Sequence, residues 1–389
     1  MDTEFLTSKE GESLLEKHKH LSSKELDQLL LKKSDARLRD VATLLKLRRK
    51  ASQKFKKAKE MYFTSKGLEQ STQEELADYI ASEMLKIIPE NSLVLEVGCG
   101  IGGNSLSLAK HFKVLAVESD PDHIKFAKKN AEIYKVKENI TFINSRIEDL
   151  PLKKVDAFFF DPQRERPGKT KTRSIFNSTP PVEKIAPLLL EKIPDGCIKI
   201  SPAFDDQEIK KLPEHPGLEV VSKKNNNKLA LLWLGRLNRF HRKATCFSEI
   251  GKKSLISKKE KEAPVTSIQN YLYKPNKAVI KASLIDELAK KYNIKRISSK
   301  ASLLTSEKVI KENDLLRVFE VIYHSDSLRK LKRKLKEEGV GESQIMTENF
   351  FIKPEELRKK LKVKDGEKYC IIATIDKKNR YILAKPLKF

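Results

Sequence analysis

Three short segments carry side chains that could do chemistry together. The first is Leu95-Glu96-Val97-Gly98-Cys99-Gly100-Ile101-Gly102-Gly103, an acid followed at once by alternating glycines. Glycine lets a backbone turn tightly and approach a ligand, because no Cβ stands in the way. Any tight strand-to-helix turn can show such glycines, so the chemical content lies in Glu96. A phosphate-cradling loop gains nothing from a carboxylate there. A cationic cofactor does, and the methionyl ammonium of S-adenosylmethionine is such a cation. The second segment ends in Glu118, 22 residues beyond Glu96. An acid at the end of the next strand can accept hydrogen bonds from both hydroxyls of a ribose; its plainer reading is an acid favoured by a helix N-terminus. The third is Asp161-Pro162-Gln163-Arg164, directly after Ala157-Phe158-Phe159-Phe160. Ligands of open α/β sheets bind outside the carboxyl ends of the strands, so this segment would face the same crevice. An Asp-Pro turn is also a common way to end a strand.

The elements that must position these groups follow from the apolar pattern. Leu93–Val97, Val114–Glu118, Ile140–Asn144, Ala157–Phe160 and Cys197–Ser201 read as strands. Helices over Asn104–Phe112 and Pro121–Tyr134 alternate with them, which predicts a parallel sheet covered on both faces. Leu218–Ser222 and Leu229–Leu234, joined by the Lys223–Lys228 turn, predict a closing hairpin. Before this region the chain reads as helical. Thr7 with Glu10, Ser22 with Glu25 and Thr72 with Glu75 have capping-box spacing, and a basic helix is expected through Lys46–Lys59. The helix from Thr72 is expected to end at Pro89. Residues 248–267 lack periodicity and read as a linker or loop. Beyond them a smaller α+β unit is expected, with helices over Leu284–Tyr292, Ser327–Glu338 and Pro354–Leu361. Strands Tyr369–Ile375 and Tyr381–Ala384 would close it as a hairpin around Asp376–Arg380. The expected domains are a helical region over 1–70, an α/β domain over 71–247, a linker over 248–267 and an α+β domain over 268–389.

Charge narrows the partners. The 389 residues include 79 Lys and Arg against 54 Asp and Glu, a formal net charge of +25. Residues 46–59 hold eight cations and no acid, and residues 236–261 hold nine cations against two acids. Clustered cations bind phosphate backbones by releasing counterions, although an evenly basic surface can serve solubility alone. Arg164, Arg166, Lys169, Lys171 and Arg173 put more positive charge beside the Asp-Pro segment. No run of 18 apolar residues occurs, and the N-terminus lacks a signal-like pattern, so neither a membrane span nor a secretory signal is expected. Cys99, Cys197, Cys246 and Cys370 are far apart, fit no zinc site, and point to a reducing, cytoplasmic setting. His18, His20, His111, His123, His215, His241 and His324 show no convincing ligand spacing, and no metal is expected. No feature requires an oligomer, so a monomer is the simplest expectation.

Gly102-Gly103-Asn104, Lys125 through Tyr134 and Ile140 through Ile143 look like the trimethylguanosine synthase group, which methylates the 2-amino group of guanine. A longer resemblance, over nearly the whole chain, is to class I methyltransferases carrying a C-terminal THUMP-like domain. It rests on Leu47-Arg48-Arg49-Lys50-Ala51 with Lys54-Phe55, on Phe63-Thr64, and on Leu68-Glu69-Gln70-Ser71-Thr72. Asp161-Pro162, Lys199-Ile200-Ser201-Pro202 and Tyr271-Leu272-Tyr273-Lys274-Pro275 extend it. The resemblance implies an α/β Rossmann-like fold with a seven-stranded sheet, S-adenosylmethionine as cofactor, and an RNA partner, since true THUMP domains bind RNA, commonly tRNA. It implies that Glu96, Gly98, Gly100 and Gly102 line the methionine part and that Glu118 holds the ribose. Gln70, Cys99, Ser119, Arg146, Ile147 and Asp161 complete the expected cofactor set. Asp161, Pro162, Gln163 and Arg164 form the expected catalytic set, the acid-proline pair presenting oxygens that orient an exocyclic amine.

Two departures stand out. Arg146 occupies the place where this class usually has an acid near the adenine. Gln163 and Arg164 stand where guanine-amine methyltransferases have an aromatic residue; Arg164 could stack on a base or clamp a phosphate. Lys199 leaves a second reading open, because an aspartate after strand four with a lysine on strand five resembles ribose 2′-O-methyltransferases. A non-catalytic RNA-binding protein of the same fold, or a methyltransferase of proteins or small molecules, are further alternatives. Cys197 reads as a small core residue rather than a nucleophile.

Overall fold

The computed structural model describes all residues except 32–34, 153–154, 165–173, 250, 259–261, 313 and 377. The chain divides into two compact units, Met1–Pro216 with Leu232–Arg239, and Gly217–Leu231 with Phe240–Phe389.

The first unit is built on β1 (Leu93–Val97), β2 (Lys113–Glu118), β3 (Ile140–Asn144), β4 (Ala157–Phe160), the two-residue pair β5 (Gln163–Arg164) and β6 (Ser178–Thr179), and β7 (Gly196–Ile200). The parallel strands run in the order β7-β4-β1-β2-β3. β4 is Ala-Phe-Phe-Phe, buried at every position, because covering helices leave neither face of a central parallel strand in water. Helix Pro121–Tyr134 starts where Asp120 caps two backbone amides and proline occupies the first turn; it ends on Lys135 in the left-handed conformation. Gly196 sits against the Phe158 ring, where an added Cβ would lie 2.2 Å from a ring carbon.

Several boundaries differ from the sequence expectation. Ser8, not Thr7, caps helix Lys9–His18, while Ser22 and Glu25 do form a reciprocal capping box. Helix Glu74–Leu85 begins after Gln73 with no side-chain cap, and the Thr72 hydroxyl is buried without a partner. The basic helix stops at Ala51 (Ala36–Ala51), so half of the 46–59 cation cluster lies on turns. Only Ser105–Leu108 of the expected 104–112 helix is α-helical.

The second unit contains β8 (Gly217–Lys223), β9 (Asn226–Leu234, shared with the first unit at its end), β10 (Arg242–Phe247) and β11 (Lys252–Ile256). Lys224 and Asn225 both have positive φ, which gives the β8–β9 hairpin its two-residue turn. β10 pairs parallel to β8 and antiparallel to β11. With these strands the sheet has nine members rather than seven, and the segment 248–267 contains a strand instead of being wholly linker. Seven further strands, β12 (Tyr271–Pro275) through β13 (Lys295–Arg296), β14 (Leu304–Ser306), β15 (Leu316–Ser325), β16 (Gln344–Glu348), β17 (Cys370–Asp376) and β18 (Lys378–Leu387), form a separate sheet in the order β13-β14-β12-β15-β18-β17-β16. Helices Leu328–Glu337 and Pro354–Leu361 bury Leu331, Leu335, Leu357 and Leu361 in one cluster with Ile371, Tyr381 and Leu383 of that sheet. No helix among the described residues is long and apolar enough to cross a membrane, and none of them group as a metal-ligating cluster.

Candidate active site

Parallel register assembles the site. Val97 pairs with Val117 and with Phe160, and Phe160 pairs with Ile198. The next residues on those strands, Gly98, Glu118, Asp161 and Lys199, therefore share one row at the carboxyl ends. Backbone bonds continue the row: Gly98 N donates to Val117 O at 2.9 Å, and Asp161 N to Val97 O at 3.1 Å. Strand order also reverses here, since β2 and β3 lie to one side of β1 and β4 and β7 to the other. A reversal of that kind opens a crevice for a ligand.

The glycine turn fits closely against this crevice. Gly98, Gly100 and Gly102 have φ of 78°, 54° and 89°, conformations that cost a side-chain-bearing residue. A Cβ on Gly98 would stand 3.0 Å from the Asp161 carbonyl oxygen. Gly100 N donates to Glu118 Oε2 at 2.9 Å, and Asp120 N to Oε1 at 3.0 Å, so Glu118 both braces the turn and faces the crevice. A pocket of about 310 Å³ is lined by Val97, Gly98, Glu118, Ser119, Arg146, Ile147 and Gln163, with Lys66, Ser145 and Thr179–Pro181 among the others.

Glu96 lies beneath the glycines and is fully buried. Ser105 Oγ donates to its Oε2, whereas Oε1 is buried with no partner. Burial, reinforced by the charges of Asp161 and Glu118, pushes its carboxyl up to about 8 against the opposing effects of Ser105 and Lys199. Asn104 Oδ1 is a second buried oxygen without a donor. These two partnerless oxygens lie on residues outside the pocket lining, and with Glu96 ionised both would accept from a cationic hydrogen-bond donor. The ammonium of S-adenosylmethionine fits that requirement. Asp161 completes the group: its Oδ2 accepts from Lys199 Nζ at 2.6 Å and from Asn104 Nδ2 at 3.1 Å.

The other expected residues divide. Ser119 and Ile147 line the pocket, Ile147 as a buried apolar wall. Arg146 also lines it, but its guanidinium is exposed and pairs with Glu148 at 3.5 Å. Cys99 is buried, and burial holds its thiol well above the usual range. Gln70 is exposed and does not line the pocket. Pro162 is buried, and Gln163 pairs with Thr179 across the β5–β6 ladder. Arg164 joins that ladder through its backbone; its side chain, and Arg166, Lys169, Lys171 and Arg173, lie outside the described residues. Ser105, Lys66, Ser145 and Thr179–Pro181 were not expected from sequence. Thr179–Pro181 reach the pocket through a two-residue ladder, too short to leave any periodicity.

Known proteins bear on this geometry. Residues 91–202 match the family model described as RNA cap guanine-N2 methyltransferase, residues 271–312 a ferredoxin-like domain, and residues 316–386 a THUMP domain-like family. An uncharacterised S-adenosylmethionine-dependent methyltransferase of Mycobacterium tuberculosis is 21% identical over 80% of this chain and 84% of its own length. Trimethylguanosine synthase of Schizosaccharomyces pombe is 35% identical over 20% of this chain and 33% of its own. A crystal structure from Porphyromonas gingivalis W83, provisionally named a methyltransferase, superposes with a TM-score of 0.79 at 20% identity, covering 97% of both chains, and so shares the fold. The glycine turn, the acids it gathers and these relationships agree in supporting a class I S-adenosylmethionine-dependent methyltransferase with a C-terminal THUMP-like region.

Proposed function

We propose that this enzyme methylates RNA, a tRNA or rRNA, on an exocyclic base amine such as the guanine 2-amino group. The observation that carries the reading is Asp161, held beside the glycine turn with Oδ2 engaged and Oδ1 free of any described partner. The match of residues 91–202 to a guanine-N2 methyltransferase model and the trimethylguanosine synthase similarity support the amine. The net charge of +25 supports a polyanionic substrate.

In this reading Glu96 and Asn104 would hold the cofactor ammonium, Glu118 its ribose hydroxyls, and Ile147 would pack on its adenine. S-adenosylmethionine supplies an electrophilic methyl group on its sulfonium. Asp161 orients the amine so that its nitrogen lone pair points at that carbon, and orientation supplies most of the acceleration. Incubating total tRNA and rRNA with methyl-labelled cofactor, followed by nucleoside analysis, tests this: label is expected in an N-methylated base and in no protein or small molecule.

The Lys199–Asp161 contact at 2.6 Å also favours a second reading, ribose 2′-O-methylation by that pair. A 2′-O-methyl group blocks alkaline cleavage of the adjacent phosphodiester, so label in alkali-resistant dinucleotides would establish it over the base amine.

A further inference from the structure

We infer that Lys199 and Asn104 are positioning residues that decide which oxygen of Asp161 meets the substrate, and so make the site select a base carrying an exocyclic amine. This rests on the amine reading above and names the residues behind it. Both donors converge on Oδ2: Lys199 Nζ at 2.6 Å and Asn104 Nδ2 at 3.1 Å. Oδ1 accepts no hydrogen bond from a described residue, and it is not among the buried atoms sealed off without partners. Among the described residues, Oδ1 is the Asp161 side-chain oxygen that receives no donor.

The carboxylate cannot readily exchange its oxygens. The ion pair is largely withdrawn from water, with side chains 16% and 17% exposed, where charge-assisted bonds hold their geometry better than at the surface. Asp161 N is tied to Val97 O, and the Asp161 carbonyl fills space that only a glycine at position 98 leaves open. Pairing of Phe160 with Ile198 sets Lys199 level with Asp161, so the sheet itself fixes the contact. An ionised carboxylate only accepts hydrogen bonds. A base edge bearing an amine satisfies Oδ1, whereas the same edge without the amine leaves it unpaired, and sites of this type reject the deficient analogue strongly. Lys199 Nζ is engaged with Asp161 Oδ2 at 2.6 Å. Its part is orientation.

The test compares binding of GMP with IMP, and of AMP with purine riboside monophosphate, to the full chain loaded with S-adenosylhomocysteine. The wild type is expected to prefer one amine-bearing nucleotide over its amine-free partner by roughly tenfold or more. Lys199→Met is expected to reduce that ratio to about threefold or less, Lys199→Arg to keep most of it, and both to bind S-adenosylhomocysteine within about threefold of wild type. If Lys199→Met does not fold, Lys199→Gln, which keeps a donor but no charge, serves in its place. An unchanged ratio in the uncharged variant overturns the inference, as does a wild type that does not discriminate. Loss of cofactor affinity in parallel with the ratio also overturns it, because Lys199 would then be supporting the fold. Label transfer into RNA decides the underlying reading separately.

Discussion

At the scale of single residues, the site is a cluster of acids that the folded chain only partly neutralises. Glu96 shows this most clearly, being fully buried, bonded through one oxygen and raised from 4.5 to about 8. The sign of the consequence follows from linkage. A carboxyl raised in the folded state keeps a proton that the unfolded chain has released. Its contribution to stability is complete below the ordinary carboxylate range and is lost as pH rises through about 8. A cofactor ammonium favours the ionised form, so binding expels that proton. Affinity for S-adenosylhomocysteine is therefore expected to rise between about pH 6 and 7.5, by up to about tenfold per pH unit. Glu96→Gln should flatten the profile; an equally steep profile in that variant would exclude Glu96 as the titrating group. Gly98→Ala forces a Cβ to 3.0 Å from the Asp161 carbonyl at a φ of 78°. It is expected to cost about 1–2 kcal/mol of stability and to weaken cofactor binding, read by thermal melting and calorimetry. The acids and glycines are legible in the sequence because each is local to one strand end. Asn104 as a partner of Asp161 is not, since it stands 57 residues away from it; Lys199, 38 residues away, is set beside Asp161 in the sequence only by resemblance, and parallel register of β4 with β7 brings the two together.

At the scale of elements, the apolar pattern marks strands well and the ends of helices poorly. Apolar runs such as Leu93–Val97 and Ala157–Phe160 announce buried parallel strands whatever surrounds them. Helix starts depend on which of several neighbouring polar residues wins the cap, and at Thr7 and Thr72 the adjacent Ser8 and Gln73 take the position. β11 is hidden for a different reason. Of Lys252–Ile256 only Leu255 is buried, so ladder bonds to β10 rather than apolar alternation make it a strand. Two substitutions probe elements directly. Ser22→Ala removes one half of the reciprocal bonds with Glu25 and is expected to cost about 1 kcal/mol in denaturant unfolding. Gly235 has φ 60°, and a Cβ there would lie 2.2 Å from the Pro194 carbonyl oxygen. Gly235→Ala is expected to destabilise by about 3 kcal/mol, near the upper end for single changes, and a loss under about 0.5 kcal/mol would contradict the tight turn.

At the scale of the whole molecule, charge and domain content carry the functional argument. Composition alone points to a polyanionic partner, with 79 cationic side chains against 54 acidic ones. What composition does not reveal is where nine sheet strands come from, because β10 and β11 fall where the apolar pattern fades into basic, polar residues. If the substrate is RNA, binding of total tRNA should fall by about a hundredfold or more between roughly 50 and 200 mM salt, while cofactor affinity changes little. The central claim is tested most directly by transfer of label from S-adenosylmethionine into RNA by wild type and by Asp161→Ala, with cofactor affinity measured on both. Label in an N-methylated base that disappears in the variant, at unchanged cofactor affinity, is the expected result. Cofactor binding without label in any RNA, or label undiminished in the variant, would contradict it.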